Sequence, residues 1–451
     1  MKTVSWKKRP LALFCLLLLC FSLMQACSGK TTPQPTTLSA PDTRIADLKT
    51  FPQNLDYYAK KIGKNKRLLT EEQQLAQNRR FDAIFFGPWE MSQGVTKKSE
   101  ACIRKARGYK LGGLRWPQEE WDVIVDNAGM EDFPSLAKPA ITLRNTDLRQ
   151  MPTHEARYDK VISNEHSYPF DDFQYSLFPV GTPLFITHAS RDGRWYFVEN
   201  PVAGGWVDAN DVAPVDEAFM EAWRSHPLAA MIEDQVRVKG LGTPLNIGTV
   251  LPMVGQAGSK IEVLLPVRGQ MGTANYRKVS LTKQQAAPKP LPLTAGNVAK
   301  LGSYFMNQAY GWGGMYGLRD CSATTRELLT PFGIFLPRNS RAQARTGEVV
   351  SLEGLSSEEK NSLIQEQGTP FLSLVGLPGH ITMYVGNYNG QVAIMHNTWG
   401  LRTIEGSDDN ARHVIGKTVV TSISPGLELP NLYRTRTFVD RIRALATPGA
   451  R

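Results

Sequence analysis

The chain changes its hydrophobic rhythm several times, and each change marks a different kind of element. Leu11 to Met24 is an apolar run of 14 residues interrupted only by Ser22, too short to span a bilayer comfortably. Residues 28–41, SGKTTPQPTTLSAP, hold one large apolar group, Leu38, and predict a flexible tether. Across residues 42–133 apolar positions recur near a 3.6-residue period, as at Leu55, Tyr58 and Ile62 and again at Trp121 and Val125. That region is therefore expected to be mainly helical. Its aromatic segment Phe81–Trp89 is expected to pack against a neighbouring domain. From about Lys138 the rhythm becomes short alternating strands broken by Gly, Pro and Asp: Ala140–Leu143, Pro183–His188, Arg194–Val198 and Gly205–Asp208. These define a first small β-barrel over residues 134–218. A second, over 219–287, repeats the texture at Thr249–Met253 and Lys260–Pro266. Residues 284–294, QQAAPKPLPLT, read as a hinge. The last region, 288–440, begins with a helical stretch from Thr294 to Asn307 and a Gly/aromatic loop. A helix opened by Asp320-Cys321-Ser322 follows, stopped by Pro331 and Gly333. Strands are then expected at Phe371–Val375, Ile381–Val385 and Val392–His396, an α+β order.

A length of 451 residues exceeds what one hydrophobic core usually supports, in keeping with several domains. The net charge of +10 includes Lys2, Lys7, Lys8 and Arg9 at the very start of the chain. The remaining excess is modest and spread out. It suits a carboxylate-rich substrate and ordinary solubility equally well. There is no nucleic-acid motif, so no nucleic-acid partner is expected. Residues 1–27, a basic start followed by an apolar run, read as a signal peptide. Leu23-Met24-Gln25-Ala26-Cys27 resembles a bacterial lipobox, although Leu23 lies one place early and Gln25 is bulky. Cys27 is then either lipidated or the site of simple cleavage. The resemblance, with Ser28 next, implies a cell-envelope protein tied by lipid to the outer membrane. Cys15 and Cys20 would leave with the leader, so only Cys102 and Cys321 remain in the folded body. They could pair, which would silence Cys321. No CxxC, HExxH or tight histidine cluster is present, so neither metal nor cofactor is expected.

A thiol attacks a carbonyl as thiolate, and it needs surroundings that stabilise negative charge. Asp320 as N-cap would place Cys321 in the first turn of a helix, where unpaired N–H groups and the helix dipole favour the anion. The bland alternative is a small buried cysteine on an amphipathic helix. Four segments bear on the choice: Tyr310-Gly311-Trp312-Gly313-Gly314, Asp320-Cys321-Ser322, Leu336-Pro337-Arg338 and Gly379-His380-Ile381-Thr382-Met383-Tyr384-Val385-Gly386. Together they resemble the NlpC/P60 family of papain-like peptidases across residues 295–420. Ala323 stands where the family has Gly, and Ile-Thr-Met where it has Val-Gly-Ile. The strand Trp195-Tyr196-Phe197-Val198 with Gly205-Trp206-Val207 resembles a bacterial SH3 domain. The implied architecture is multidomain: a helical N-terminal region, two SH3-like barrels and a C-terminal α+β papain-like domain.

The resemblance implies Cys321 as nucleophile, His380 as general base and His396 as the residue orienting it. It also implies Tyr310 near the oxyanion, with Asp320 and Ser322 contacting the substrate's N-terminal L-alanine in relatives that act on free stem peptides. The implied reaction is hydrolysis of the γ-D-glutamyl–diamino acid amide of peptidoglycan stem peptides, the diamino acid commonly being meso-diaminopimelate. A recycling dipeptidyl-peptidase and a non-catalytic wall-binding protein stand as alternatives. For His396 the competing reading is a core histidine. Tyr168-Pro169-Phe170-Asp171 and Gln174 form an aromatic, acidic patch, and the resemblance implies that loops of the first barrel border the groove. A regular two-residue turn at Asn389-Gly390 would set His396 opposite Met383 and turn His380 to the other face. A shared face requires an odd loop or a bulge, and a three- or five-residue loop is expected around Tyr388–Gly390.

Overall fold

The computed structural model describes residues 44–159, 169–405 and 408–450. The expected leader (1–27), tether (28–41), Cys27 and Tyr168 lie outside the described residues. Among those described, no helix is long and apolar enough to cross a membrane.

The N-terminal region is helical at Leu55–Ile62, Glu71–Phe86 and Gln118–Asn127. Its parts do not share one core. Leu55, Tyr58 and Ala59, spaced to lie on one face of their helix, are buried with Phe305, Met383 and Val385 of the C-terminal region. Glu71–Phe86 starts at a capping box between Thr70 and Gln73. Its Phe81 packs with Leu228 and Val250, and Phe335 lies against the same cluster. Trp89 donates its indole N–H to the Ala140 carbonyl at 2.7 Å. Trp116 and Trp121 are buried with Phe173 and Trp206. The region therefore holds the other parts together, as the Phe81–Trp89 aromatics suggested.

Residues 138–214 form a seven-stranded antiparallel sheet, and residues 228–288 a five-stranded one. Residues 284–294 are not a hinge. Ala286–Pro288 is a strand paired to Leu228–Met231, and Leu293 is fully buried. Proline there is tolerated because this is an edge strand.

The C-terminal region sets the helix Cys321–Leu329 against a six-stranded antiparallel sheet. That sheet includes Ala444–Thr447, paired between Glu348–Ser351 and Leu374–Leu377, so this domain extends beyond residue 440. Its edge is a long hairpin of Gln391–Glu405 and Asp408–Thr421. The expected three- or five-residue loop before that hairpin is not formed. Tyr388 pairs with Gln391 across Asn389-Gly390, whose φ angles of 48° and 77° suit a type I′ turn. A bulge at Val385 takes up the extra residue, so Met383 faces Met395. His396 therefore comes one step along, on the same face as His380.

Candidate active site

The catalytic helix begins where the sequence places it. Asp320 is the N-cap, accepting from the Ala323 N–H at 2.8 Å, and Cys321 is the first helical residue. Cys321 is 7% exposed, and it and Cys102 are both free thiols. Main-chain N–H groups of Ile381 and Ser322 point at the sulfur. Ile381 directly follows His380, so the strand that carries this histidine also touches the Cys321 sulfur.

The two histidines meet. His380 Nε2 lies 2.8 Å from His396 Nδ1, and His396 Nε2 lies 3.2 Å from Thr421 Oγ1. The Thr421 hydroxyl has one proton and donates it to the Ser422 carbonyl at 2.8 Å. It must then accept from His396 Nε2–H, which leaves His396 Nδ1 to accept from His380 Nε2–H. The lone pair of His380 is thereby confined to Nδ1, free to take a proton.

Electrostatics correct one expectation. Burial first, and the Asp320 charge second, push the Cys321 thiol up to about 12 despite the N–H groups around it. Burial, then the nearby Arg441 cation, pushes His380 down to about 3. Burial, then His380, holds His396 well below its ordinary value. Both shifts favour the neutral forms, a thiol at Cys321 and an uncharged imidazole at His380. Burial also raises Tyr310 well above the usual phenol range, so it stays a neutral phenol.

Asp320 and Ser322 are both buried, and their polar atoms are already engaged. Asp320 accepts from Arg338 at 2.6 and 3.1 Å, Ser322 Oγ at 3.0 Å and the Gly313 N–H at 3.1 Å. Burial raises its pKa, but the Arg338 charge and these donors outweigh that and hold the carboxyl below its ordinary value. Ser322 Oγ in turn accepts from Arg338 at 2.7 Å. Arg338, of the Leu-Pro-Arg segment, also donates to Ser176 Oγ of the first sheet at 2.8 Å. Both motif residues thus brace the helix start.

The first sheet reaches the cleft as the patch at 168–174 suggested, through Phe170. Its ring lies 5.1 Å from Trp312, 6.3 Å from Tyr310 and 6.5 Å from Trp399. Gln174 donates to the Gly313 carbonyl at 3.1 Å. A Cβ at Gly313 would meet Gln174 at 2.6 Å, and one at Gly314 would meet Leu177 at 2.5 Å. Those two glycines are required because this loop lies hard against the first sheet. The cleft is walled by Phe170, Tyr310, Trp312, His380 and Trp399, and further along by arginines. Sequence reasoning missed Thr421, Trp399 and these arginines. Thr421 sits on the long hairpin strand, which was not foreseen, although the β-branched run Thr418-Val419-Val420-Thr421 carries that signal.

Residues 16–133 match the NLPC_P60 N-terminal stabilising domain, and residues 157–208 match an SH3 domain of the SH3b1 type. A solved NlpC/P60 endopeptidase from Photobacterium damselae subsp. piscicida superposes with a TM-score of 0.77 at 24% identity. The match covers 89% of this chain and 98% of that one. Two curated relatives are named gamma-D-glutamyl-L-lysine dipeptidyl-peptidase. The one from Bacillus cereus is 26% identical over 36% of this chain, and the one from Bacillus subtilis 26% identical over 32%. This chain spans 45% and 44% of their lengths. The chain thus carries segments that match the NLPC_P60 stabilising domain and a bacterial SH3 domain, and it shares the overall fold of a solved NlpC/P60 endopeptidase.

Proposed function

We propose that this protein is a cysteine endopeptidase that hydrolyses the γ-D-glutamyl–diamino acid amide of peptidoglycan stem peptides in the cell envelope. The observation that carries the reading is the ordered chain Thr421–His396–His380, which leaves one basic nitrogen on the strand that also touches the Cys321 sulfur. Attack proceeds as His380 takes the thiol proton and sulfur bonds to the γ-carbonyl carbon. Main-chain N–H groups at the helix start stabilise the oxyanion. His380 then gives its proton to the departing amine, leaving an acyl-enzyme. Water, deprotonated by His380, attacks that thioester and restores the thiol.

The curated relatives' names favour a dipeptidyl-peptidase, the reading in which the substrate presents a free N-terminal amine. An incoming ammonium would have to displace Arg338 from Asp320, and that supports action within longer peptides instead. Intact sacculi and free tetrapeptide, each digested and read by mass spectrometry, separate the two readings: soluble release from sacculi is expected, and cleavage of free peptide alone overturns the endopeptidase reading. Cys321→Ala should lower hydrolysis by about 10⁴-fold or more, and unchanged turnover rejects the nucleophile. We further propose that the chain is exported and lipidated at Cys27, with the wall as its partner. A Cys27→Ser form that keeps a metabolic fatty-acid label would refute the anchor.

A further inference from the structure

Among the described residues the strand Asp408–Thr421 lies at the edge of the six-stranded sheet, so alternate residues on it turn their backbone N–H and C=O groups away from the sheet. Near the site those groups are taken up by side chains from the start of the folded chain. Gln53 accepts from the Val420 N–H at 2.9 Å and donates to the Val420 carbonyl at 2.8 Å. Asp47 accepts from the Ser422 N–H at 2.7 Å and from the Ser422 hydroxyl at 2.8 Å, both at one carboxylate oxygen. The segment that carries these two side chains is itself fixed. Ile45 is buried with Leu401 and Leu432, and Phe51 lies in the core that holds Met383 and Met395. Val420 and Ser422 flank Thr421, whose hydroxyl accepts from His396, and the Ser422 carbonyl is the group that takes the Thr421 proton. The two clamps therefore close on either side of the one hydroxyl that orders the imidazoles, and neither Asp47 nor Gln53 lines the cleft.

We infer that Asp47 and Gln53 are positioning residues of the hydrolytic site, acting through the backbone on either side of Thr421. Held at both flanks, Thr421 keeps its proton on the Ser422 carbonyl and its lone pair toward His396 Nε2–H. With the strand end released, the hydroxyl is free to turn and donate to His396 Nε2, which puts the His396 proton on Nδ1, facing His380 Nε2. The order of the whole chain then reverses, and His380 must carry its proton on Nδ1, where the reaction needs a lone pair. A small displacement far from the reacting atoms thus reaches them through two imidazoles. The inference rests on the peptidase reading for the reaction, whereas the tautomer it predicts is independent of any turnover.

Nitrogen NMR of the imidazoles in the full-length Cys321→Ala protein reads which ring nitrogen of each histidine carries the proton. His396 should be protonated at Nε2 alone. Adding Asp47→Ala and Gln53→Ala together should average its two nitrogens, while Asp47→Asn, which keeps an oxygen for Ser422, should preserve the single form. A single Nε2–H form in the double alanine variant overturns the proposal. With Cys321 intact, hydrolysis of soluble peptidoglycan fragments gives the kinetic arm. Asp47→Ala should lower kcat about tenfold with KM little changed, and Asp47→Asn should recover most of that loss. In a Thr421→Val background the same Asp47→Ala change should alter kcat by less than about twofold, because the hydroxyl it serves is gone. A full tenfold loss in that background means that the segment only stabilises the fold, which also overturns the proposal. Absence of cleavage by the unmodified chain sinks the peptidase reading instead, and the tautomer measurement then decides the clamp by itself.

Discussion

Two buried arginines flank the start of the catalytic helix, and each ties it to a different sheet. Arg319 is shared between two carboxylates: Asp234, at 2.7 and 2.8 Å, in the segment before the second sheet's long strands, and Glu327, at 2.6 Å, in the catalytic helix itself. It also lies 4.0 Å over the Phe305 ring. Arg338 has one carboxylate, Asp320, and from the first sheet takes only the Ser176 hydroxyl. The second sheet thus anchors the domain through redundant charge. The first supplies cleft wall, in Phe170, and support for the loop and Arg338. Redundancy at one clamp and its lack at the other predict unequal responses to mutation.

The largest effect is expected at Arg338. Arg338→Leu leaves Asp320 as a buried anion with no cation beside it, which should cost about 3–5 kcal/mol in urea unfolding. Hydrolysis should fall with it as the helix start loosens. Asp234→Asn keeps the shape and leaves Glu327 beside Arg319, so about 1–3 kcal/mol is expected, with kcat nearly unchanged. A larger loss at Asp234 than at Arg338 would reverse the comparison. Phe170→Ala should raise KM about tenfold with little change in unfolding, because its contacts are aromatic pairs at the cleft rim. A matching loss of stability would make Phe170 a packing residue. The smallest change is expected in the acid limb of kcat/KM, which neither sheet sets. The imidazole must be neutral to accept the thiol proton, and burial lowers its pKa from 6.5 to about 3. The neutral form therefore persists as pH falls through 6.5, and the limb should lie clearly below that value. A limb at 6.5 would mean the histidines are wetter than their packing implies.

Much of the candidate site was legible because local rules governed it. Asp320 at an N-cap, Cys321 in the first turn and histidines on neighbouring strands follow from capping chemistry and strand alternation. The turn was misjudged because Asn389-Gly390 satisfies the local rule for a two-residue hairpin, while the face of each histidine depends on a bulge at Val385 set by packing. The proline-rich 284–294 stretch looked like a hinge because composition does not reveal that Leu293 is buried or that Ala286–Pro288 finds an edge. Asp320 could be matched to a family position, but its carboxylate's occupation by Arg338 involves a residue 18 positions away.

The sequence by itself determined the order of parts, the helix that carries the thiol and the strands that carry both histidines, because these depend on neighbours within a few residues. Tertiary structure alone decided which hydroxyl orients the imidazoles, which arginine claims Asp320 and where the cations collect. Those depend on atoms that folding brings together from distant segments, where burial magnifies every charge and hydrogen bond.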